Sequence, residues 1–195
     1  PAAKDYLMRA SNKIYKTPAV SPTEYGSFYE LEDAPQSRKQ KLAPNGKRSN
    51  LNDKQYDIVR TPAFKKWFGD WETDPANASK VVDENGEPLV VYHGTNYDFD
   101  IFESGKGIGS GDSFGYLGKG HYFTNDYDVA ESYSDYNKEP FAVFINSKNP
   151  YISSDYRHTQ PSSQGSFAKE LGVSIGEETK FLKSKNKDGV LSQDK

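Results

Sequence analysis

Two segments decide the fold of this chain: Val91-Tyr92-His93-Gly94-Thr95 and, further along, Gly118-Lys119-Gly120-His121-Tyr122-Phe123-Thr124. The first predicts a strand that ends on His93, and functional groups are often placed where regular structure gives way to a loop. Gly94 has no side chain, so its backbone N–H and carbonyl can approach a planar ligand closely. The second segment predicts a strand between glycines, with Tyr122 at its centre. Together they predict a β-rich domain with candidate ligand-binding groups on two strands.

The sequence around these segments predicts further short strands and helices. Val81-Val82 and Leu89-Val90-Val91-Tyr92 flank the turn residues Asp83-Glu84-Asn85-Gly86, which is typical of a hairpin. Phe141-Ala142-Val143-Phe144-Ile145 is a strongly apolar run and predicts a buried strand. Weaker patterns predict a helix from Asn125 or Asp126 to Tyr136, helices over Phe167–Leu171 and Thr179–Lys183, and a strand that starts at Asp188. The predicted class is therefore α+β.

The segment from Asn50 to Glu72 predicts two consecutive helices. Asn52 or Asp53 can cap the first helix, and Pro62 suits the first turn of the second. Aromatic residues recur along the second helix at helical spacing: Phe64, Trp67, Phe68 and Trp71. Because such a face is more often core than cofactor site, we predict that it packs in the interior.

Residues 1–49 are predicted to form a separate N-terminal arm that is only partly ordered. Four prolines interrupt any long regular element: Pro18, Pro22, Pro35 and Pro44. A short helix over Asp5–Tyr15 is predicted, because apolar residues recur there at helical spacing. We therefore divide the chain into a helical or irregular arm (1–49) and a main domain (50–195).

The composition limits the kinds of protein and site that this chain can form. Hydrophobic residues make up 34% of its 195 residues, so 14 tyrosines and 11 phenylalanines must supply much of a modest core. The absence of cysteine excludes disulfides and thiolate sites. No apolar run approaches the ~18 residues of a membrane-spanning helix. Residues 1–20 also lack the apolar segment of a signal peptide. We therefore expect no membrane partner.

The pairing of the two opening segments resembles the ADP-ribosyltransferase fold of the His-Tyr-Glu type, which poly-ADP-ribose polymerases and diphtheria-toxin-like enzymes share. The resemblance implies split antiparallel β-sheets with flanking short helices, and NAD+ as a substrate with no metal. It extends to Val59–Glu72, Phe141–Asn146 and Lys148-Asn149-Pro150. This combination resembles the ADP-ribosyltransferase domain of phage polyvalent proteins.

The resemblance also implies a role for each candidate site residue. His93 corresponds to the histidine that hydrogen-bonds the adenosine-side ribose of NAD+, and Gly94 to the glycine whose backbone holds the nicotinamide carboxamide. Tyr122 and Tyr133 correspond to tyrosines on the two faces of the nicotinamide ring. Thr95 stands at a serine or threonine position near the site. Ala130 departs from the family, since many members have a serine there.

The third residue of the family pattern, usually a glutamate, has no clear equivalent in this sequence. The family places it after the strand that corresponds to Asp188-Gly189-Val190-Leu191, and Gln193 is the nearest candidate. The resemblance thus assigns catalysis to His93, Tyr122 and Gln193, and we expect the domain to lack its last strand or strands.

The resemblance further implies where and on what such an enzyme would act. The expected acceptor is a protein or nucleic acid of a host bacterium, modified in the host cytoplasm. The domain could also be carried in a phage particle and contact other segments of a larger phage protein. Residues 1–50 contain 9 Lys and Arg against 5 Asp and Glu, so a basic arm could meet an acidic partner, although a solvated tail explains the same charges.

Three functions stay open on the sequence alone. The first is a mono-ADP-ribosyltransferase that releases nicotinamide from NAD+. The second is a catalytically inactive NAD-binding or interaction module of a phage protein, which the missing glutamate favours. The third is an RNA 2′-phosphotransferase on the same fold, which needs an additional histidine and arginines that Arg60 and Arg157 do not obviously supply.

Overall fold

The structure is a computed structural model that describes residues 5–8, 15–16, 40–102, 117–153 and 165–192. Its elements follow in chain order: β1 (Asp5–Met8), β2 (Tyr15–Lys16), α1 (Asp53–Val59), α2 (Pro62–Phe68), β3 (Val91–His93), β4 (His121–Thr124), α3 (Tyr127–Glu131), β5 (Phe141–Phe144), β6 (Tyr151–Ser153), α4 (Ser166–Leu171), α5 (Glu178–Ser184) and β7 (Gly189–Ser192). Short strands and short helices thus confirm the predicted α+β class. Across the described ranges, no helix is long and apolar enough to cross a bilayer.

The seven strands form one sheet in the order β2-β5-β3-β4-β1-β7-β6. Neighbouring strands are antiparallel, except that β6 and β7 run parallel. β3 lies between β5 and β4, with Tyr92 opposite both Ala142 and Thr124. The strand that ends on His93 is therefore an interior strand, held by a neighbour on each side.

The helix predicted over Asp5–Tyr15 is wrong, because residues 5–8 form strand β1 and residues 15–16 form strand β2. β1 pairs with β4 on one side and with β7 on the other. Its backbone therefore pairs with the facing edges of both β4 and β7, which a helix at these residues would leave without a neighbouring strand. Periodicity over so few apolar residues does not separate helix from strand. The division of the chain at residue 50 stays a prediction.

Three hydrophobic clusters cover the two faces of the sheet. The first contains Val91, Phe123 and Val143 and lies on one face. The second packs α4 and α5 against Val190, and the third packs α1 and α2 against Phe144. Because side chains alternate along a strand, Phe144 and Val143 belong to opposite faces, as do Val190 and Leu191. The sheet therefore has a core on each side.

Local signals account well for α1 and α2. Asn52 caps α1 and forms a capping box with Gln55, while Thr61 caps α2 directly before Pro62. Phe64 and Phe68 are buried and stack at 5.2 Å between ring centroids. The Trp71 indole donates to the carbonyl of Val59. The predicted core role of this aromatic face is confirmed.

The predicted hairpin before β3 is confirmed at its turn, although its two arms are joined by only a short ladder. A single bridge joins Val82 to Pro88, and the turn residues Asp83 and Gly86 close it by a backbone hydrogen bond. Glu87 is fully buried in this hairpin and pairs with Arg60 at 2.9 Å. This ion pair ties the end of α1 to the segment that leads into β3.

The helix predicted to reach Tyr136 ends earlier, at Glu131. Asp126 caps it as expected, through a hydrogen bond from the N–H of Val129. The Ser132 hydroxyl donates to the carbonyl of Val129, and Asn137 adopts a positive φ of 79°. Serine and asparagine compete with the helix for backbone groups, which explains the early end. Tyr133 and Tyr136 therefore lie in the turn after α3.

Candidate functional site

His93 lies at the end of β3 inside a group of aromatic rings. Its imidazole centroid is 5.1 Å from that of Phe102 and 5.3 Å from that of Phe123. His121 and Phe99 are each 6.2 Å away. Tyr92 opposite Thr124 places His93 across from Phe123, so these two side chains share a sheet face. The rings fix the orientation of the imidazole.

The hydrogen bond of His93 determines which ring nitrogen is available to a ligand. Its Nδ1 lies 2.7 Å from the backbone carbonyl oxygen of Tyr122. A carbonyl can only accept, so Nδ1 carries the proton and donates it, and Nε2 of the neutral ring is an acceptor. Burial lowers the pKa of His93 below its ordinary value, and the neighbouring His121 adds to this effect. A neutral imidazole with Nε2 accepting suits a hydroxyl donor such as a ribose hydroxyl.

The lowered pKa of His93 predicts a pH dependence of stability. The unfolded chain takes up the proton first as pH falls through ~6.5, so the free energy of unfolding decreases from that pH downward. We expect the stability advantage of the wild type over His93→Gln to shrink between pH ~7.5 and ~5.5. Urea denaturation of both proteins across this range measures it. An advantage that stays constant or grows towards acid would contradict the prediction.

Tyr122 lies on the opposite face of the sheet from His93. Its ring packs against the second hydrophobic cluster, which includes Val190. Its hydroxyl donates to the carbonyl of Gly118 at 2.7 Å and accepts from the N–H of Leu117 at 2.9 Å. Tyr122 therefore also holds the turn that leads into β4. As strand alternation predicts, His121 points away from Tyr122 and is buried beside His93.

Gly94 is pressed against α3. A Cβ atom at this position would overlap the carbonyl oxygen of Ala130 and lie 2.8 Å from Cβ of Tyr133. Only glycine allows the backbone after β3 to approach the helix this closely. Outside the ladders of the sheet, no backbone–backbone hydrogen bond of the described residues involves Gly94. Its N–H and carbonyl are a donor and an acceptor on one residue, and a carboxamide needs both.

The structure brings four of the seven predicted site residues together at this contact: Gly94, Thr95, Ala130 and Tyr133. Thr95 follows Gly94 and is buried, and its N–H donates a hydrogen bond to the hydroxyl of Ser134 at 3.2 Å. Tyr133 is 70% exposed beside Gly94, so one face of its ring is open to a ligand. His93 is linked to Tyr122 through the Tyr122 carbonyl alone. The seventh, Gln193, lies outside the described residues.

Two contributors to this region were not predicted from the sequence. Ser134 fixes the backbone at Thr95, and Tyr127 packs edge-on against Tyr92 at 5.3 Å between centroids. Phe99 and Phe102 lie in neither a helix nor a strand, but both pack on His93. Alternation with Asp98 and Asp100 singles out Phe99, but it does not identify Phe102, which lies three residues further along.

The sequence profile of one protein family, described as ADP-ribosyltransferase in polyvalent proteins, matches residues 83–194. This match covers more than half of the chain and includes every predicted site residue from His93 to Gln193. The chain belongs to this family. Helices α1 and α2 lie outside the match but pack on the same sheet. Searches of curated proteins and of solved structures gave no match.

Membership names a substrate whose polar groups can be compared with those of the site. ADP-ribosyltransferases use NAD+ as substrate, and NAD+ carries both a nicotinamide carboxamide and ribose hydroxyls. The N–H and carbonyl of Gly94 are suited to the first group, and Nε2 of His93 is suited to the second. Within the described residues, no group of three or more acidic or histidine side chains is placed to hold a metal ion.

Proposed function

We propose that this ADP-ribosyltransferase domain is a mono-ADP-ribosyltransferase that transfers ADP-ribose from NAD+ to a macromolecular acceptor and releases nicotinamide. The observation that carries the proposal is the close contact of Gly94 with α3 inside the family match, because it leaves a backbone donor and acceptor next to the ring of Tyr133. In this proposal Gly94 holds the carboxamide, and Tyr133 covers the nicotinamide ring.

The proposed reaction breaks one bond and forms another at a single carbon. The bond between the anomeric carbon of the nicotinamide-side ribose and the ring nitrogen breaks, and its electron pair leaves with neutral nicotinamide. The acceptor nucleophile then bonds to the anomeric carbon and releases its proton. Positive charge develops on the ribose, so a nearby carboxylate or amide dipole favours the transition state. Gln193 remains the candidate for that group.

His93 takes a positioning as well as a binding role in this proposal. Its Nδ1–H bond to the carbonyl of Tyr122 links the backbone of β3 to that of β4, while Nε2 accepts from a ribose hydroxyl. Tyr122 holds the turn at Leu117 and Gly118, so its ring is kept in a defined place. The two strands that present the ligand groups are therefore fixed relative to each other before NAD+ binds.

The test of the nicotinamide site is the Tyr133→Ala variant. We expect a loss in NAD+ affinity of ~1–3 kcal/mol, because a stacking face is removed. Tyr133 is 70% exposed, so its truncation leaves folding intact. Calorimetric titration with NAD+ measures the affinity. The matched control is Tyr136→Ala, since Tyr136 is 95% exposed in the same turn but is assigned no NAD+ contact. Equal affinities in the two variants would refute the assignment of Tyr133.

Catalysis is tested by nicotinamide release from NAD+ with the wild type, His93→Ala and Gln193→Ala. Release by the wild type that disappears in both variants supports the transferase and its residue assignments. Binding of NAD+ without release supports the second candidate, an inactive NAD-binding module of a phage protein. Two observations favour this second candidate: the family's glutamate has no clear equivalent in this sequence, with Gln193 only the nearest candidate, and Ala130 stands where many members have a serine.

The acceptor, the cell compartment and the larger assembly are further parts of the proposal. We propose that the acceptor is a molecule of the host bacterium and that modification occurs in its cytoplasm. Labelled NAD+ added to a bacterial lysate with the wild type or His93→Ala identifies a modified acceptor by mass spectrometry. Label that appears equally with both proteins would contradict this part of the proposal.

A further inference from the structure

Three exposed tyrosines surround the segment that contains Gly94. Tyr97, Tyr133 and Tyr136 are 68%, 70% and 95% exposed. They belong to two chain segments, 95–98 and 133–138, which are joined by hydrogen bonds. The N–H of Thr95 donates to the Ser134 hydroxyl, and Nζ of Lys138 donates to the carbonyl of Asn96. We call this surface, defined by Tyr97, Tyr133 and Tyr136, the tyrosine rim. Exposed aromatic residues grouped in this way are typical of interaction surfaces.

The charges beside the tyrosine rim are almost all negative. Four exposed acidic residues lie along α3 and the turn after it: Asp128, Glu131, Asp135 and Glu139. No salt bridge joins any of them to a cation of the described chain, whereas the only cation of this stretch, Lys138, pairs with Asp98 at 3.3 Å. The stretch from Tyr127 to Glu139 thus carries four carboxylates against one lysine, a net charge of −3 (1 − 4).

The same carboxylates act on Tyr127 at the start of α3. Burial raises the pKa of the Tyr127 hydroxyl above its ordinary value, and the charges of Glu139 and Glu131 raise it further. Glu131 ends α3 and Glu139 lies beyond it, so carboxylates of two segments act on one part of the surface. A negative field of this kind repels the phosphates of a nucleic acid and attracts a cationic partner.

We propose that the tyrosine rim and its carboxylates dock an arginine- or lysine-rich polypeptide segment, which presents the acceptor protein to the NAD+ site. Guanidinium and ammonium groups bind carboxylates and also stack on aromatic faces, so one cationic segment uses both features of the rim. Tyr133 of the rim lies beside Gly94, which the proposed function assigns to the nicotinamide carboxamide. This inference rests on the proposed transferase function and narrows its acceptor to a protein with an exposed basic segment.

The test is a titration of the full chain with a fluorescent oligo-arginine peptide, followed by anisotropy. We expect binding that weakens as salt rises from ~0.05 M to ~0.5 M. Tyr136→Ala should weaken binding roughly two- to five-fold through the loss of a cation–π contact, and Asp135→Asn should reduce the salt dependence. Ile152→Ala and Glu177→Gln, exposed positions on other elements, are the matched controls and should bind as the wild type does.

Two outcomes would overturn the proposal. One is equal peptide affinity in the wild type, Tyr136→Ala and Asp135→Asn. The other is tighter binding of a single-stranded oligonucleotide than of the peptide. Nicotinamide release, measured on the same preparations, tests the transferase function separately from the docking surface. Release with rim-independent peptide binding refutes the docking surface alone, whereas rim-dependent binding without release refutes the transferase function and leaves the docking surface standing.

Discussion

The Gly94→Ala variant is expected to lose NAD+ binding and to be destabilised by ~3 kcal/mol. The added methyl group would overlap the carbonyl oxygen of Ala130, which belongs to the helix backbone and cannot rotate away. Either β3 or α3 must shift, and overpacking of this kind typically costs ~1–3 kcal/mol. The same shift would move the N–H and carbonyl that we assign to the nicotinamide carboxamide. Chemical denaturation and calorimetric NAD+ titration measure the two effects.

The control for this variant is Gly46→Ala. Gly46 has open space around its hypothetical Cβ, but its φ of +81° is one that side chains disfavour. Its substitution should cost ~1–2 kcal/mol of stability through backbone strain and leave NAD+ affinity unchanged. If Gly94→Ala binds NAD+ as tightly as Gly46→Ala does, the assignment of Gly94 to the carboxamide is wrong.

The Leu7→Pro variant is expected to disrupt the centre of the sheet. β1 hydrogen-bonds both β4 and β7, and the register places Leu7 opposite Tyr122 and Val190. Proline removes a backbone donor and is not tolerated inside a central strand, so we expect a loss of at least ~2–3 kcal/mol. The fluorescence of Trp67 and Trp71 during denaturation reports the stability, because both lie in or against the third hydrophobic cluster.

The control for Leu7→Pro is Lys16→Pro. β2 contains Lys16 and lies at the edge of the sheet, where β5 is its only neighbour. A proline removes one N–H donor in either strand, but in an edge strand it disturbs a single neighbouring strand, so the loss of stability should be clearly smaller. Amide hydrogen exchange adds a second measurement, since Leu7→Pro should expose amides of β4 and β7. Equal destabilisation by the two prolines would contradict a central position of β1.

The candidate site could be predicted only in part from the sequence. The residue types of His93, Gly94, Tyr122 and Tyr133 were sufficient to indicate the family, and the profile match includes all of them. Their arrangement was not predictable in the same way. That His93 and Tyr122 lie on opposite faces follows from the pairing of β3 with β4, which no local pattern specifies. The role of Ser134 at Thr95 likewise depends on residues 39 positions apart.

The sequence by itself determined those elements whose causes lie within a few residues. The cap at Asn52, the proline at the start of α2, the turn ending at Gly86 and the apolar run of β5 were all predicted and are observed. Only the tertiary structure decided that residues 5–8 form a strand, that Gly94 contacts α3, and that three tyrosines form one rim. The physical reason is that these features depend on backbone hydrogen bonds and steric contacts between distant segments, which local propensity does not encode.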